Sequence, residues 1–192
     1  MRILAGLFVA TSMALVAQAE AYLIDPVHSA AVFRVGHMGV SYTYGLVPNL
    51  NGELSFDAEN PEKNSISVEA QVSDLTTEYH DRDQHLKNED FFHLEQFPLM
   101  RFESTSWKKT GEKTYEVTGK LTLLAVTKEI TIPVEHVGSA EGREGELRSG
   151  FDTKFTIKRS DYGMDKMIPG AGDEVTLMVG IEAIREGNAA PE

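Results

Sequence analysis

The sequence predicts an all-β, antiparallel fold of about eight strands, and three observations carry that prediction. From Glu20 onward, apolar residues alternate with polar ones in segment after segment. Turn signals separate most of these segments: Asp57-Ala-Glu-Asn-Pro61, Thr110-Gly111, Gly138 to Gly145 and Pro169-Gly170. The connections are too short for the crossovers that parallel strands need.

Taken in order, the first candidate strand is 29–38, where Ala31, Phe33, Val35 and His37 share one phase. Segment 50–57 follows and includes Phe56. In 65–73, Ile66, Val68, Ala70 and Val72 oppose Ser65, Ser67, Glu69, Gln71 and Ser73. Tyr79–Phe92 breaks the pattern, because it is charge-rich and lacks Gly and Pro; it reads as one short helix near 80–92. Pro98 and segment 99–107 return the chain to the sheet, with Met100 and Phe102 in phase. Segment 115–123 presents Val117, Leu121 and Leu123 to one side, and 128–136 presents Ile130, Ile132 and Val134. Segment 151–157 presents Phe151, Phe155 and Ile157; 173–182 closes the series with Val175, Leu177, Val179 and Ile181. The other phase is polar on nearly every strand, so the apolar phases must share one interior. A sandwich or an up-and-down barrel satisfies this. A barrel of eight strands has an interior just wide enough for side chains or one small ligand.

Composition narrows the function classes. The 192 residues contain no Cys, which excludes a disulfide scaffold, a thiolate metal site and a cysteine nucleophile. A formal charge of −12 repels a phosphate backbone, so no nucleic-acid partner is expected. Arg2, the apolar run Ile3 to Val16 and Ala17-Gln18-Ala19 form the three parts of a secretory signal peptide. That apolar run is short of the ~20 residues a spanning helix needs, so no stable membrane anchor is expected. Cleavage removes Arg2 and no acid, moving the charge from −12 to −13. The expected organisation is therefore a signal peptide at 1–19, one domain at 20–185 and a frayed tail at 186–192.

Few residues suggest catalysis. His85, Glu89 and His93 stand four apart, which on one helix face could hold zinc or iron. His93 follows Phe91-Phe92 near the expected helix end, and no fourth ligand is evident, so a solvated face is the stronger reading and no metal is expected. No Gly-x-Ser-x-Gly elbow exists, and no Gly-Lys-Ser/Thr follows Gly170-Ala-Gly172. The expectation is a protein that is not an enzyme and needs no cofactor. His37 has two readings, a satisfied core histidine or a polar group inside an apolar cavity that orients a ligand's head.

Set in order along the chain, the motifs resemble the YceI-like family of bacterial periplasmic proteins. They run from Asp25-Pro-Val-His28-Ser29 through Phe33-Arg-Val-Gly-His37-Met38-Gly39, Tyr44-Gly45 and Gly52-Glu-Leu-Ser-Phe56-Asp57. Arg82-Asp83-Gln-His85-Leu86, Asp90-Phe91-Phe92, Phe97-Pro98 and Phe102-Glu-Ser104 come next. Thr118-Gly119-Lys-Leu121-Thr122-Leu123, Val126-Thr127-Lys128, Arg159-Ser-Asp161-Tyr162-Gly163 and Gly172-Asp173-Glu174-Val175 complete the set. Two positions depart from the family pattern. Ala125 stands where a turn glycine is usual, which predicts a turn of another type. Val47 replaces a usual aromatic, which predicts a reshaped cavity rim.

The resemblance implies an antiparallel, eight-stranded, lipocalin-like barrel holding an isoprenoid chain, polyprenyl or quinone-like. It implies a periplasmic carrier; the alternative is a metal-binding or catalytic protein built on His85, Glu89 and His93. The inward phases would supply the ligand-binding wall: Phe33, Val35, His37, Phe56, Val68, Phe102, Leu121, Ile132, Phe155 and Leu177. A second copy of the chain is a further partner the sequence leaves open. Each buried CH₂ is worth ~0.8 kcal/mol against an association cost of ~4–15 kcal/mol, so the bound chain must be long. N-terminal sequencing of exported protein should start at or near Glu20; an intact Met1 end would overturn the signal assignment.

Overall fold

The computed structural model describes residues 19–187; residues 1–18 and 188–192, with all but the last residue of the expected signal segment and most of the expected tail, lie outside the described residues. Its strands are β1 (Glu20–Ile24), β2 (Ala30–His37), β3 (Ser41–Val47), β4 (Asn51–Phe56), β5 (Ser65–Gln71), β6 (Leu99–Lys109), β7 (Thr114–Leu123), β8 (Val126–Glu141), β9 (Leu147–Lys158) and β10 (Ala171–Arg185). One helix, α1 (His80–Lys87), interrupts them. Every pairing is antiparallel. Among the described residues no helix is long and apolar enough to cross a membrane.

Alternation finds eight of these strands and misses β1 and β3, for a physical reason. In β3 the inward residues are Thr43, Gly45 and Val47, whereas Tyr42, Tyr44 and Leu46 face out. Apolar side chains therefore occupy the wrong phase. β1 is only five residues long and also carries an exposed Leu23.

β1 closes the sheet. It pairs with β4 on one side and with Ala183–Arg185 of β10 on the other. The ring β1-β4-β5-β6-β7-β8-β9-β10 is thus an eight-stranded barrel. β2 continues along β10, from Gly180 to Ala171, and carries β3 on its outer side. The break between β1 and β2 is pinned by buried Ser29, whose Oγ donates to the Glu182 carbonyl (3.2 Å) and accepts from the Glu182 amide (3.0 Å). Beside it the Arg148 guanidinium binds Asp25 (2.9 Å), Glu146 (2.8 Å) and Glu182. Burial pushes the Asp25 carboxyl up, but hydrogen bonds from His28 and Arg148 prevail and hold it below the usual carboxylate range.

The two ends of the barrel differ. At the β1 end, Phe56, Trp107, Tyr115, His136 and Phe151 pack as edge-to-face and tilted rings with centroids 4.7–6.3 Å apart and plug the interior. A bulge at Thr105 resets the phase of β6, so that Phe102 and Trp107 both point inward although their positions differ by an odd number. At the opposite end β3 and β5 do not pair; Leu46 of β3 instead exchanges hydrogen bonds with Thr76, in the segment after β5.

The β7–β8 connection corrects the turn expectation. Leu123 pairs with Val126, and Leu124 (φ 50°) and Ala125 (φ 59°) both adopt left-handed backbone. This is the two-residue hairpin turn that normally selects glycine. The left-handed turn forms without glycine, at a steric cost of ~1–2 kcal/mol per non-glycine residue. Ala125→Gly should therefore raise the unfolding free energy by about 1 kcal/mol in urea titration; an unchanged or lower value would contradict the strained turn.

The plug also predicts a pH response. His136 Nε2 lies 3.0 Å from Ser149 Oγ and 3.2 Å from Ser139 Oγ, with the ring against Phe56 and Phe151. Burial, reinforced by Lys113, pushes its pKa below the ordinary value. The unfolded chain takes up that proton near pH ~6.5 and the folded chain resists it, so this stability is full above that range and is lost as pH falls through it. Carboxylates held low, such as Asp25 and Asp83, act only in a more acidic window. Melting temperatures of the native protein should fall between about pH 7 and 5, and His136→Gln should flatten that fall; superimposable profiles would refute it.

Candidate functional site

Above the plug lies a cavity of about 700 Å³, inside the ~300–1,000 Å³ range of small-molecule sites. Its wall is carbon almost throughout. Phe33, Val35, Phe102, Leu121, Phe155 and Leu177 all point into it and are only half-buried, because the space they face is unfilled. Two glycines keep it open. A Cβ on Gly45 would sit 2.2 Å from the Phe33 ring, and one on Gly119 would sit 2.5 Å from the Phe102 ring. Both rings therefore lie down on the neighbouring strand instead of crossing the lumen.

Nine of the ten residues expected from the sequence line this cavity. Phe56 does not; it is 6 % exposed and belongs to the plug. Phase alone put it inward correctly, but β4 reaches the wall at the filled end. Ile132 lies where plug and cavity meet. His37 is neither core nor deep lumen: it stands exposed at the end of β2, at the cavity mouth. Val47 is buried beside Ala31, Leu50 and Leu75, so the rim at that position is packed and aliphatic.

Sequence reasoning missed the cap. Residues 76–97 fold over the gap between β3 and β5 and contribute Tyr79, Arg82, His85, Leu86, Phe91 and Phe92 to the cavity. The signal available was the Phe91-Phe92 pair directly after a polar helix. Helix α1 buries none of its residues fully; Leu86 packs against the cluster of Ala31, Val47, Leu50 and Leu75, and polar bonds add to that hold. Asp83 accepts from Thr76 Oγ1 (2.9 Å), the Thr77 amide (2.7 Å) and Thr77 Oγ1 (2.5 Å). Burial opposes its ionisation, but these bonds win and its pKa is lowered. Arg82 Nε donates to Thr77 Oγ1 (2.7 Å) and Lys87 Nζ to the Ser73 carbonyl (2.6 Å).

The helix is shorter than expected, and this removes the proposed metal face. Asn88 takes an extended conformation and its Oδ1 accepts the Asp90 amide (2.9 Å), ending the helix after Lys87. Glu89 and His93 therefore leave the face that His85 occupies. His85 Nε2 instead meets Asp90 (3.0 Å), and the His93 ring meets Phe97. Among the described residues, metal-type donors converge at Asp25, His28 and Glu182. The Arg148 cation already binds both carboxylates there.

The rim opposite the cap is built on a buried cation. Arg159 donates to the carbonyls of Gly172 and Met164 (both 2.8 Å), and of Lys166 and Ala171 (both 2.9 Å). Four carbonyl acceptors replace the water that burial removes. Burial still lowers its pKa, against the attraction of Asp173 and Asp165. The loop so fixed turns Met164 inward to the cavity and leaves Ile168 exposed.

The YceI-like domain matches residues 22–183. A UPF0312 protein of Ectopseudomonas mendocina is 37% identical over 172 residues, covering 88% of this chain and 90% of that one. The YceI protein of Salmonella arizonae is 32% identical over 185 residues, 95% of each chain. Among solved structures, Campylobacter jejuni YceI is 28% identical with a TM-score of 0.70, covering 78% of this chain and 88% of that one. A polyisoprenoid binding domain from Saccharophagus degradans is 13% identical with a TM-score of 0.67, covering 86% and 99%.

Proposed function

The chain belongs to the YceI-like family, and on that premise we propose that it binds a long-chain isoprenoid lipid inside the barrel and carries it in the periplasm. The observation that carries this reading is the apolar lumen that the chain's own side chains do not cross. A hollow of about 700 Å³ without apolar atoms inside it forfeits packing contacts along its wall, a cost that grows with its volume. Water is a poor filler, because ordered water needs polar partners the wall does not offer. An apolar chain fills it at a gain of ~0.8 kcal/mol per CH₂.

The Saccharophagus degradans domain supports the likeness of fold; the ligand class is argued from the shape and chemistry of this lumen and from the family. A polyprenyl or quinone-like chain supplies the length that offsets the association cost. Its head would lie at the mouth, where His37, Thr43, Arg82 and His85 provide the polar groups. Export to the periplasm rests on the signal-peptide pattern of residues 1–19.

Protein purified from its own host should release an isoprenoid chain in denaturing mass spectrometry. Phe102→Asp places an unpartnered charge in the lumen, and Leu177→Trp fills it; each should cut bound lipid roughly tenfold or more. The outward neighbour Glu103→Gln should load normally. Native protein without lipid, or wild-type loading in both lumen variants, would sink the reading.

A further inference from the structure

The upper rim carries apolar side chains with no protein to cover them. Met38 (69 % exposed) and Val40 (82 %) stand at the tip of the β2–β3 hairpin. Met167 (54 %) and Ile168 (38 %) stand on the loop that Arg159 fixes. The two tips are joined: the Met38 amide donates to the Gly170 carbonyl (2.8 Å), and His37 pairs with Ala171. Behind them Tyr42 and Tyr44 are exposed on β3 and Tyr79 on the cap. Met167 and Tyr79 also line the cavity, so the exposed rim and the lumen form one continuous apolar surface.

We infer that this rim docks on a phospholipid bilayer, seating the cavity mouth at the hydrocarbon boundary so that the bound chain passes between protein and membrane without crossing water. The arrangement fits a lipid surface. Methionine, valine and isoleucine protrude furthest, and tyrosines, which keep one end in polar surroundings, stand a step behind. Arg34, which has no carboxylate partner among the described residues, stacks 4.5 Å from the Tyr42 ring centroid, where its guanidinium can meet a lipid phosphate. Tips fixed by Arg159 and by the hairpin turn enter a bilayer without first being ordered. The formal charge of −12 opposes a strongly anionic surface. Insertion, not long-range attraction, must therefore supply the affinity, and zwitterionic headgroups suit it best.

Docking stands on the exposed residues alone; passage of the chain rests on the lipid-carrier reading. The probe is a vesicle of phosphatidylcholine and phosphatidylethanolamine. Wild-type protein should sediment with it, and phosphatidylglycerol at low salt should weaken the association. Met38→Trp should be quenched by brominated lipid, against the buried Trp107 as background. The double variant M38D/V40D changes only exposed positions that do not line the cavity, so its melting temperature and equilibrium lipid loading should match wild type. Its vesicle partition, and its rate of chain transfer between donor and acceptor vesicles, should fall roughly tenfold or more. Wild type that stays in the supernatant, or a double variant that partitions like wild type, would overturn docking. So would sedimentation equilibrium showing a dimer that the double variant loses, with no vesicle binding, since a second copy would then cover the rim. Vesicle binding by protein that carries no isoprenoid would uphold docking while the carrier reading fell.

Discussion

A five-residue strand closes this barrel. β1 reaches β4 on one side and the last residues of β10 on the other, and without it the sheet would keep two open edges and enclose nothing. The seam is reinforced at the β1–β2 break, where Ser29 satisfies both backbone groups of Glu182. Arg148 gathers three carboxylates from separate parts of the chain in the same place. Those groups hold one end of the barrel shut while the other end stays open.

The same eight-strand ring is filled at one end and hollow at the other, and side-chain size explains little of the difference. Phenylalanines occur at both ends. In the plug, Phe56 and Phe151 meet other rings edge to face. In the cavity, Phe33 and Phe102 find glycines on the adjacent strand and lie flat against the wall. The bulge at Thr105 lets one strand serve both regions. Filling and emptiness are thus set by cross-strand neighbours, which the linear sequence does not place side by side.

Around the mouth the interactions change character. The cap is held by hydrogen bonds to Asp83 and by an Asp90–Lys166 ion pair of 3.2 Å to the opposite loop, with little buried area of its own helix. Segments held mainly by exposed polar bonds open at lower free energy than packed cores. A mouth bordered by such a cap opens more readily than the plug and the seam. The rigid side of the mouth, organised by Arg159, is the one that carries the exposed apolar tips.

By itself the sequence determined the strand class, eight of the strands, their inward phases and the motif order that marks the family. Alternation survives in the linear chain because its period is local. It also placed Phe33, Phe102, Phe155 and Leu177 on the inner wall. Only the tertiary structure decided which inward residues line space and which fill it, as Phe56 demonstrates. It also decided that β3 is a strand with its aromatics outward, that α1 stops at Lys87, and that Leu124-Ala125 forms the turn despite its strain. Each of these depends on partners distant in sequence or on a closure that over-rules local preference. Phase tells which way a side chain points, and only the assembled ring tells what it meets there.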